Sequence, residues 1–270
     1  MTDYFENSKL LTDHQYGFRK NHSTTYLTLD MFDKIFDSKS QGNTPAIIFL
    51  DIKKAFDTVD HNILIDKLKF YGIDGKVILW IGSYLSGRKQ ATKLLGKISN
   101  YLCIKFGVPQ GSLLGPLLFS MYINDLVCAC NLSIQYLFAD DGALLFEDIC
   151  RKTYMNIKIE MLTIIKWLCV NKLSLNIDKT KLLIFDNAKF SVKIKLSNNN
   201  AIKECKSYKY LGLMVDNYLK FDIHVDYISK KIQKRIWAMY RGSSLLPIKY
   251  RKMFANSLIL PHFDYLDTIY

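Results

Sequence analysis

Short apolar runs that meet aspartates at their ends constrain this chain more than any other feature. Ala46-Ile-Ile-Phe-Leu-Asp-Ile52 shows neither helical nor alternating periodicity, so it reads as a strand buried on both faces, with Asp51 near its C-terminal end. Ile134 to Phe138 and Ala143 to Phe146 flank Ala139-Asp140-Asp141-Gly142. Asp-Gly between such runs signals a β-hairpin with both aspartates at its tip. An ionised carboxylate at the end of a buried strand is costly unless it is hydrated, hydrogen-bonded or paired with a cation. Antiparallel pairing of these strands would gather Asp51, Asp140 and Asp141 around one point. Taken alone, Asp-Asp-Gly is a solvent-facing hairpin tip.

The remaining pattern predicts an α+β body. Ser23 and Thr24 can cap a helix with Leu27, Met31, Ile35 and Phe36 on one side, ending near Gly42. Asp60 reads as the cap of a helix through Phe70, with Ile63, Leu64 and Leu68 inward and Gly72 as its stop. A further helix follows over about Lys76 to Leu85. Gln90 to Leu95 and Tyr101 to Phe106 flank Gly-Lys-Ile-Ser-Asn and predict a hairpin. Ser112 to Val127 predicts a buried helix that starts or kinks at Gly115-Pro116. A long helix over Tyr154 to Val170 leads to strands at Leu173 to Ile177, Lys181 to Phe185, Ser191 to Leu196 and Tyr208 to Val215, with Ser197 to Asn200 a turn. From Asp222 to Lys252 the chain becomes two basic helices. A charge run of this kind is usually a solvated helix face.

Composition supports an ordered chain of one large domain, or one with a smaller appendage: 270 residues, 49% hydrophobic and 23% charged. Thirty-seven basic against 25 acidic residues give a net charge of +12, which favours polyanionic partners such as nucleic acid. Six cysteines lie without a CxxC pair, which fits reduced thiols and argues against zinc. Neither a signal peptide nor a membrane-spanning segment is visible, so the expected location is intracellular, in cytoplasm or nucleus, with no membrane partner.

Hard oxygen ligands with open positions suit Mg²⁺ or Mn²⁺. Two such ions about 4 Å apart can activate a hydroxyl and neutralise a leaving pyrophosphate. Three further stretches join that chemistry to a family resemblance. Phe49-Leu-Asp-Ile-Lys-Lys-Ala-Phe-Asp-Thr-Val-Asp-His61, Gly107-Val-Pro-Gln-Gly-Ser-Leu-Leu-Gly-Pro-Leu-Leu-Phe119 and Tyr136-Leu-Phe-Ala-Asp-Asp141 resemble, in order, the A, B and C motifs of reverse transcriptases from non-LTR (LINE-like, jockey-type) retrotransposons. Gln15-Tyr-Gly-Phe-Arg-Lys-Asn-His-Ser-Thr-Thr25 resembles the family's fingers signature. Asn176-Ile-Asp-Lys-Thr180 and Tyr208-Lys-Tyr-Leu-Gly212 resemble its D and E motifs.

The resemblance implies a right-hand polymerase fold with partial fingers, an antiparallel-sheet palm packed on helices and an incomplete helical thumb. Residues 1–218 would be fingers and palm, and 219–270 the start of the thumb. It implies an RNA-directed DNA polymerase adding deoxynucleotides to a primer 3′-hydroxyl on an RNA template, with two Mg²⁺ ions or Mn²⁺. Asp51, Asp140 and Asp141 would be catalytic metal ligands with the Ile52 carbonyl, while Asp57 and Asp60 would cap and turn the chain. Lys179 would be the D-motif lysine that protonates pyrophosphate or meets its charge, with Lys181 the alternative.

Phe56 would block the sugar 2′-hydroxyl of the incoming nucleotide. Gln110 and Gly111 would meet nucleotide or template, glycines from Gly107 on allowing close approach of the nascent base pair. Tyr210, Leu211 and Gly212 would steady the primer, although a buried Tyr pair would explain that motif equally. Lys231, Lys234 and Arg235 would serve primer or template, and Arg19 would serve template phosphates, the nucleotide or only the fold. Upstream, the family carries an Arg-Pro-Ile-Ser type segment that helps hold the triphosphate. That segment is not found here, and Leu260-Pro-His-Phe-Asp-Tyr265 resembles thumb sequence, so the chain reads as truncated at both ends. The alternative reading is a catalytically inactive nucleic-acid-binding remnant. RNA-templated RNA synthesis is disfavoured by Phe56.

Overall fold

The computed structural model describes residues 2–147, 153–185, 193–196, 200–242 and 246–270. Cys150, the first two residues of the strand expected at Ser191 and most of the turn at Ser197 to Asn200 lie outside them. The five described cysteines are free.

Strand β1 (Ala46–Leu50) is central, and its five residues are all buried. It pairs antiparallel with β7 (Asp141–Phe146) on one side and β8 (Lys181–Ile184) on the other. Strand β6 (Ile134–Phe138) closes the first side, and β10 (Ala201–Glu204) with β9 (Lys193–Lys195) the second, giving a six-stranded sheet ordered β6-β7-β1-β8-β10-β9. The β10–β8 pair is parallel and the rest antiparallel. Strand β10 was not anticipated. Its Ala201-Ile-Lys-Glu204 places one apolar side chain, Ile202, in the core and gives too short a period to read.

Alternation along β1 explains why the run carries no period. Ala46, Ile48 and Leu50 enter one core cluster, while Ile47 and Phe49 enter another across the sheet. Each Ile, Leu or Phe side chain among them contributes roughly 1.5–3 kcal/mol by leaving water. The first face is covered by α3 (His61–Phe70), α4 (Gly75–Leu85), α5 (Leu114–Ile123) and α6 (Thr153–Val170), with Phe5 of α1 (Thr2–Asn7) added. Helix α2 (Thr24–Ser40) covers the second face with Leu27, Met31, Phe32 and Ile35. Phe36, expected inward, is 47% exposed, because the buried stripe runs through Phe32 one turn earlier.

Caps fall where expected. Ser23 accepts from the Tyr26 amide, and Asp60 accepts from the Asn62 and Ile63 amides. The all-apolar helix is shorter than expected. It begins at Leu114 with Pro116 in its first turn, and Asn124–Ala129 continues it as a 3₁₀ segment.

Two turns and one strand differ from expectation. The exposed hairpin of β2 (Lys89–Gln90), β3 (Lys93–Leu94), β4 (Lys97–Ile98) and β5 (Leu102–Cys103) turns at Leu95-Gly96, both with positive φ, which leaves Lys97 and Ile98 in a strand. In the β6–β7 hairpin the register Phe138↔Asp141 makes Ala139-Asp140 the two-residue turn. Asp141 therefore opens β7, and Gly142 is a strand residue between Leu50 and Leu137, where a Cβ would come 3.3 Å from the Leu137 side chain and in ordinary contact with that of Leu50. Leu173 to Ile177 forms one bridge, Leu175 to Ile52, and not a strand.

The hairpin of β11 (Ser207–Tyr210) and β12 (Leu213–Asp216) packs on the second face through Tyr210, Leu213 and Val215. Helices α7 (Asp222–Arg241), α8 (Ile248–Leu258) and α9 (Pro261–Asp264) follow, as the charge pattern predicted for the first two. No helix among the described residues is long and apolar enough to cross a membrane.

Candidate active site

The end of β1 is pinned from both sides. The Asp51 carbonyl accepts from the Asn176 amide at 2.7 Å, and the Lys53 amide donates to the Ser174 carbonyl at 2.8 Å. The buried Thr180 hydroxyl accepts from the Asp51 amide at 3.4 Å. Across the sheet, Leu50 lies opposite Gly142, so the β6–β7 turn meets the end of β1. Asp51 continues the face of Ile47 and Phe49, and Asp141 that of Ala143 and Leu145. The antiparallel pairing that would gather the three aspartates is present.

Loss of hydration raises the Asp140 carboxyl above the ordinary range, and the nearby Asp51 adds to it. Asp141 is raised in the same way, first by lost hydration and then by Asp140 and Asp51. Asp141 opens β7 at the exposed surface, beside those two carboxylates. Tyr208 and Tyr210 stand close enough to feel Asp141. Both phenols are raised by burial and then by that charge.

A cleft of about 590 Å³ opens beside these acids. Asp51, Ile52, Phe56, Gln110, Asp140 and Lys179 line it, so six of the anticipated residues, drawn from four distant segments, share one cavity. Lys179 Nζ is 4.0 Å from Asp51 Oδ1 and 70% exposed on its side chain. Lys181 lies in β8 opposite Phe49 and does not line the cleft, which favours Lys179 of the two candidates. Phe56 stacks on the buried Phe119 with ring centroids 4.5 Å apart, so one face is fixed and the other side borders the cavity. Gln110 donates to Asp57 Oδ1 at 2.8 Å.

Several anticipated roles change. Gly107, with φ +89°, makes its close approach to this chain's own backbone: a Cβ would stand 2.8 Å from Asp57 Cα and carbonyl oxygen. Its amide donates to the Val59 carbonyl, and Val108 to the Phe56 carbonyl, tying the B-motif loop to the segment after Asp51. Gly111 has open space around it and lies outside the cleft lining. Asp141 is also outside that lining.

Arg19 is not presented to a nucleic acid. Its side chain is 9% exposed, pairs bidentately with Glu6 at 3.0 and 2.8 Å and donates to the Thr12 and Gln15 carbonyls. Tyr210 is buried, with its hydroxyl on the Tyr136 carbonyl, so it supports the core. Leu211 and Gly212 form the tip of the β11–β12 hairpin, both at positive φ, and Tyr265 packs on that tip with its hydroxyl 2.5 Å from the Leu211 carbonyl.

Lys53 and Lys54 line the cleft and were not singled out from sequence; their signal was two adjacent basic residues directly after Asp51-Ile52. With Lys179 they bring three cations to a cavity that holds two carboxylates of the β1–β7 junction. An adjoining cavity of about 570 Å³ adds Arg88 and shares Lys54 and Gln110. A third, of about 310 Å³, is lined by Lys209, Gly212, His224, Lys231 and Arg235, with no carboxylate in its lining. Lys234 is exposed and outside it. The Met214 amide donates to His224 Nδ1, which leaves Nε2 as the ring's N–H donor, and that atom is buried without a partner among the described residues.

The donor set at the β1–β7 junction is oxygen only, and its carboxylates disfavour one another's ionisation, which suits a hard divalent cation. Among the described residues no group of three or more His, Cys, Asp or Glu is placed to hold a metal ion by itself. Mg²⁺ characteristically binds through one or two carboxylates together with substrate phosphates, so the residues present fit such an ion arriving with its nucleotide.

Comparison with known proteins agrees with this arrangement. A family model described as reverse transcriptase (RNA-dependent DNA polymerase) matches residues 1–215. "Probable RNA-directed DNA polymerase from transposon BS" of Drosophila melanogaster is 30% identical over 268 residues, covering 91% of this chain and 28% of that protein. "RNA-directed DNA polymerase from mobile element jockey" of Drosophila funebris is 28% identical over 242 residues, covering 87% and 26%. This chain thus spans under a third of the length of these relatives. Among solved structures, telomerase from Candida tropicalis in complex with a fragment of telomeric RNA superposes with a TM-score of 0.56 at 13% identity, over 99% of this chain and 45% of that one. At that identity the likeness speaks for the fold, which is the α+β right-hand polymerase fold. With its A, B and C motifs converging on one cleft, the chain belongs to the reverse transcriptase (RNA-dependent DNA polymerase) family, and its relatives are the polymerases of non-LTR retrotransposons.

Proposed function

We propose that this chain is the polymerase centre of an RNA-directed DNA polymerase, adding deoxynucleotides to a primer 3′-hydroxyl. The observation that carries the reading is the shared cleft in which Asp51, Asp140, Phe56, Gln110 and Lys179 meet. Asp51 and Asp140, with Asp141 in support and the Ile52 carbonyl beside them, would hold Mg²⁺ or Mn²⁺. Bound there, such ions would supply the charge that lowers the pKa of an attacking hydroxyl and neutralises the transferring and leaving phosphates.

The protein's own contribution is positioning and charge. Lys179 stands where the leaving pyrophosphate would gather charge, and Lys53 and Lys54 add to the field that draws in a triphosphate. Phe56, held on one face by Phe119, would crowd a ribose 2′-hydroxyl and so favour deoxynucleotides. Gln110, placed by Asp57, would meet the nucleotide or template at the cleft edge. Residues 1–218 would form fingers and palm, and 219–270 part of a thumb. There Lys231 and Arg235, with Lys209, would take a backbone phosphate of the primer-template.

The test is incorporation of single deoxynucleotides on a primed RNA of defined sequence. Incorporation that follows the template base and disappears in Asp51→Ala supports the reading. Incorporation that persists in Asp51→Ala overturns the site. Salt-sensitive binding without any incorporation would favour the nucleic-acid-binding remnant.

A further inference from the structure

The Gln15-Tyr-Gly-Phe-Arg19 segment touches neither cleft nor basic cavity, yet it is built against the turn that carries Asp140. Gln15 and Leu137 form a parallel bridge: the Tyr16 amide donates to the Leu137 carbonyl at 2.8 Å, and the Leu137 amide to the His14 carbonyl at 2.9 Å. The segment thus extends the edge of β6 up to the catalytic turn. There the Gln15 side chain, 1% exposed, places Oε1 between two backbone amides, Gly17 at 2.9 Å and Ala139 at 3.0 Å.

Both partners are donors, so this atom is the oxygen. Its Nε2 is left buried with no partner among the described residues, an arrangement whose cost is hard to explain by packing alone.

Ala139 is the residue that needs holding. Its φ is +56°, a left-handed conformation unfavourable for a side-chain-bearing residue, and it precedes Asp140 directly. Without a partner in the hairpin ladder, the Ala139 amide depends on Gln15 for its hydrogen bond. Gly17 permits the contact, since a Cβ there would lie 2.4 Å from the Ala139 nitrogen. Arg19 then fixes the segment from behind by donating to the Gln15 carbonyl while paired with Glu6.

We propose that Gln15 is a positioning residue for the metal-binding carboxylates: its Oε1 holds the left-handed turn at Ala139 and so sets the direction in which Asp140 enters the cleft. The inference rests on the polymerase reading of that cleft. Gln15 meets no substrate; it acts through the turn.

The experiment uses the full chain and Mn²⁺ alone, with binding followed by electron paramagnetic resonance and folding by thermal melts. Gln15→Met keeps the side-chain length and loses the acceptor. It should weaken Mn²⁺ binding by roughly 10- to 100-fold, the range for losing a partner behind a metal ligand. Gln15→Glu, which keeps an oxygen in place, should recover most of that loss. Ala139→Gly in the Gln15→Met background should recover part, because glycine takes positive φ freely. Amide exchange at Ala139 should quicken in Gln15→Met.

A lowered melting temperature with unchanged Mn²⁺ affinity in the folded fraction would overturn the proposal in favour of a purely structural Gln15. Absence of Mn²⁺ binding by the unmodified chain would instead sink the metal assignment itself, and the role of Gln15 with it.

Discussion

Replacing Arg19 by methionine separates a structural arginine from a nucleic-acid contact. The change keeps much of the aliphatic stem while removing a bidentate ion pair to Glu6 and donors to two carbonyls. Breaking a buried pair costs about 3–5 kcal/mol. Glu6 retains 22% side-chain exposure, so it can be partly rehydrated and the lower end applies, about 3 kcal/mol. At roughly 2–4 °C per kcal/mol for a chain of this size, the melting temperature should fall by about 6–12 °C.

The pair also carries a pH signature. The Arg19 hydrogen bond holds the Glu6 carboxyl below its usual range. That stability is therefore fully present above the unfolded-state value near pH 4.3, and is lost as pH falls through the depressed folded-state value. Unmodified protein and Arg19→Met should thus converge in stability on acidification. Binding to primer-template, measured at several salt concentrations, should keep its slope in the variant. An unchanged melting temperature together with a slope reduced by about one would refute the structural assignment and return Arg19 to the nucleic acid.

Three further outcomes follow from the same geometry. Phe56→Val should raise the relative use of ribonucleotides by roughly 10-fold or more in steady-state incorporation, the scale on which a pocket discriminates small groups; an unchanged ratio would remove Phe56 from sugar selection. Gly107→Ala puts a Cβ 2.8 Å from the Asp57 backbone at a φ of +89° and should destabilise the protein by about 2 kcal/mol or more in urea titration, so a neutral result would contradict the A–B motif packing. Lys231→Ala should lower the salt slope of primer-template binding by about one with little change in melting temperature.

The sequence showed most clearly those features that combine local chemistry with a long-range requirement. The apolar run of β1 could not hide an acid at its end cheaply, and the β6–β7 hairpin announced its turn, so the meeting of Asp51 with Asp140 was legible before any contact was seen. Helix caps at Ser23 and Asp60 were legible for the same reason, since their side chains satisfy amides only a few residues away. Turn register was less so. Asp141-Gly142 looks like a hairpin tip, but the register Phe138↔Asp141 places Gly142 inside β7, packed beside Leu50 and Leu137. Arg19 and Tyr210 sit in motifs that resemble nucleic-acid contacts, and only burial distinguishes a contact from a support. The role of Gln15 was hidden because one of its two partners, the Ala139 amide, lies more than a hundred residues away and has no sequence signature of its own.

The proposed polymerase centre depends on the carboxylates at the junction of β1 and β7. Its most direct test is single-nucleotide primer extension on an RNA template with Mg²⁺, comparing the unmodified chain with Asp140→Ala at equal folded concentration. The account predicts extension by the unmodified protein and none by the variant. Equal extension by both would contradict it.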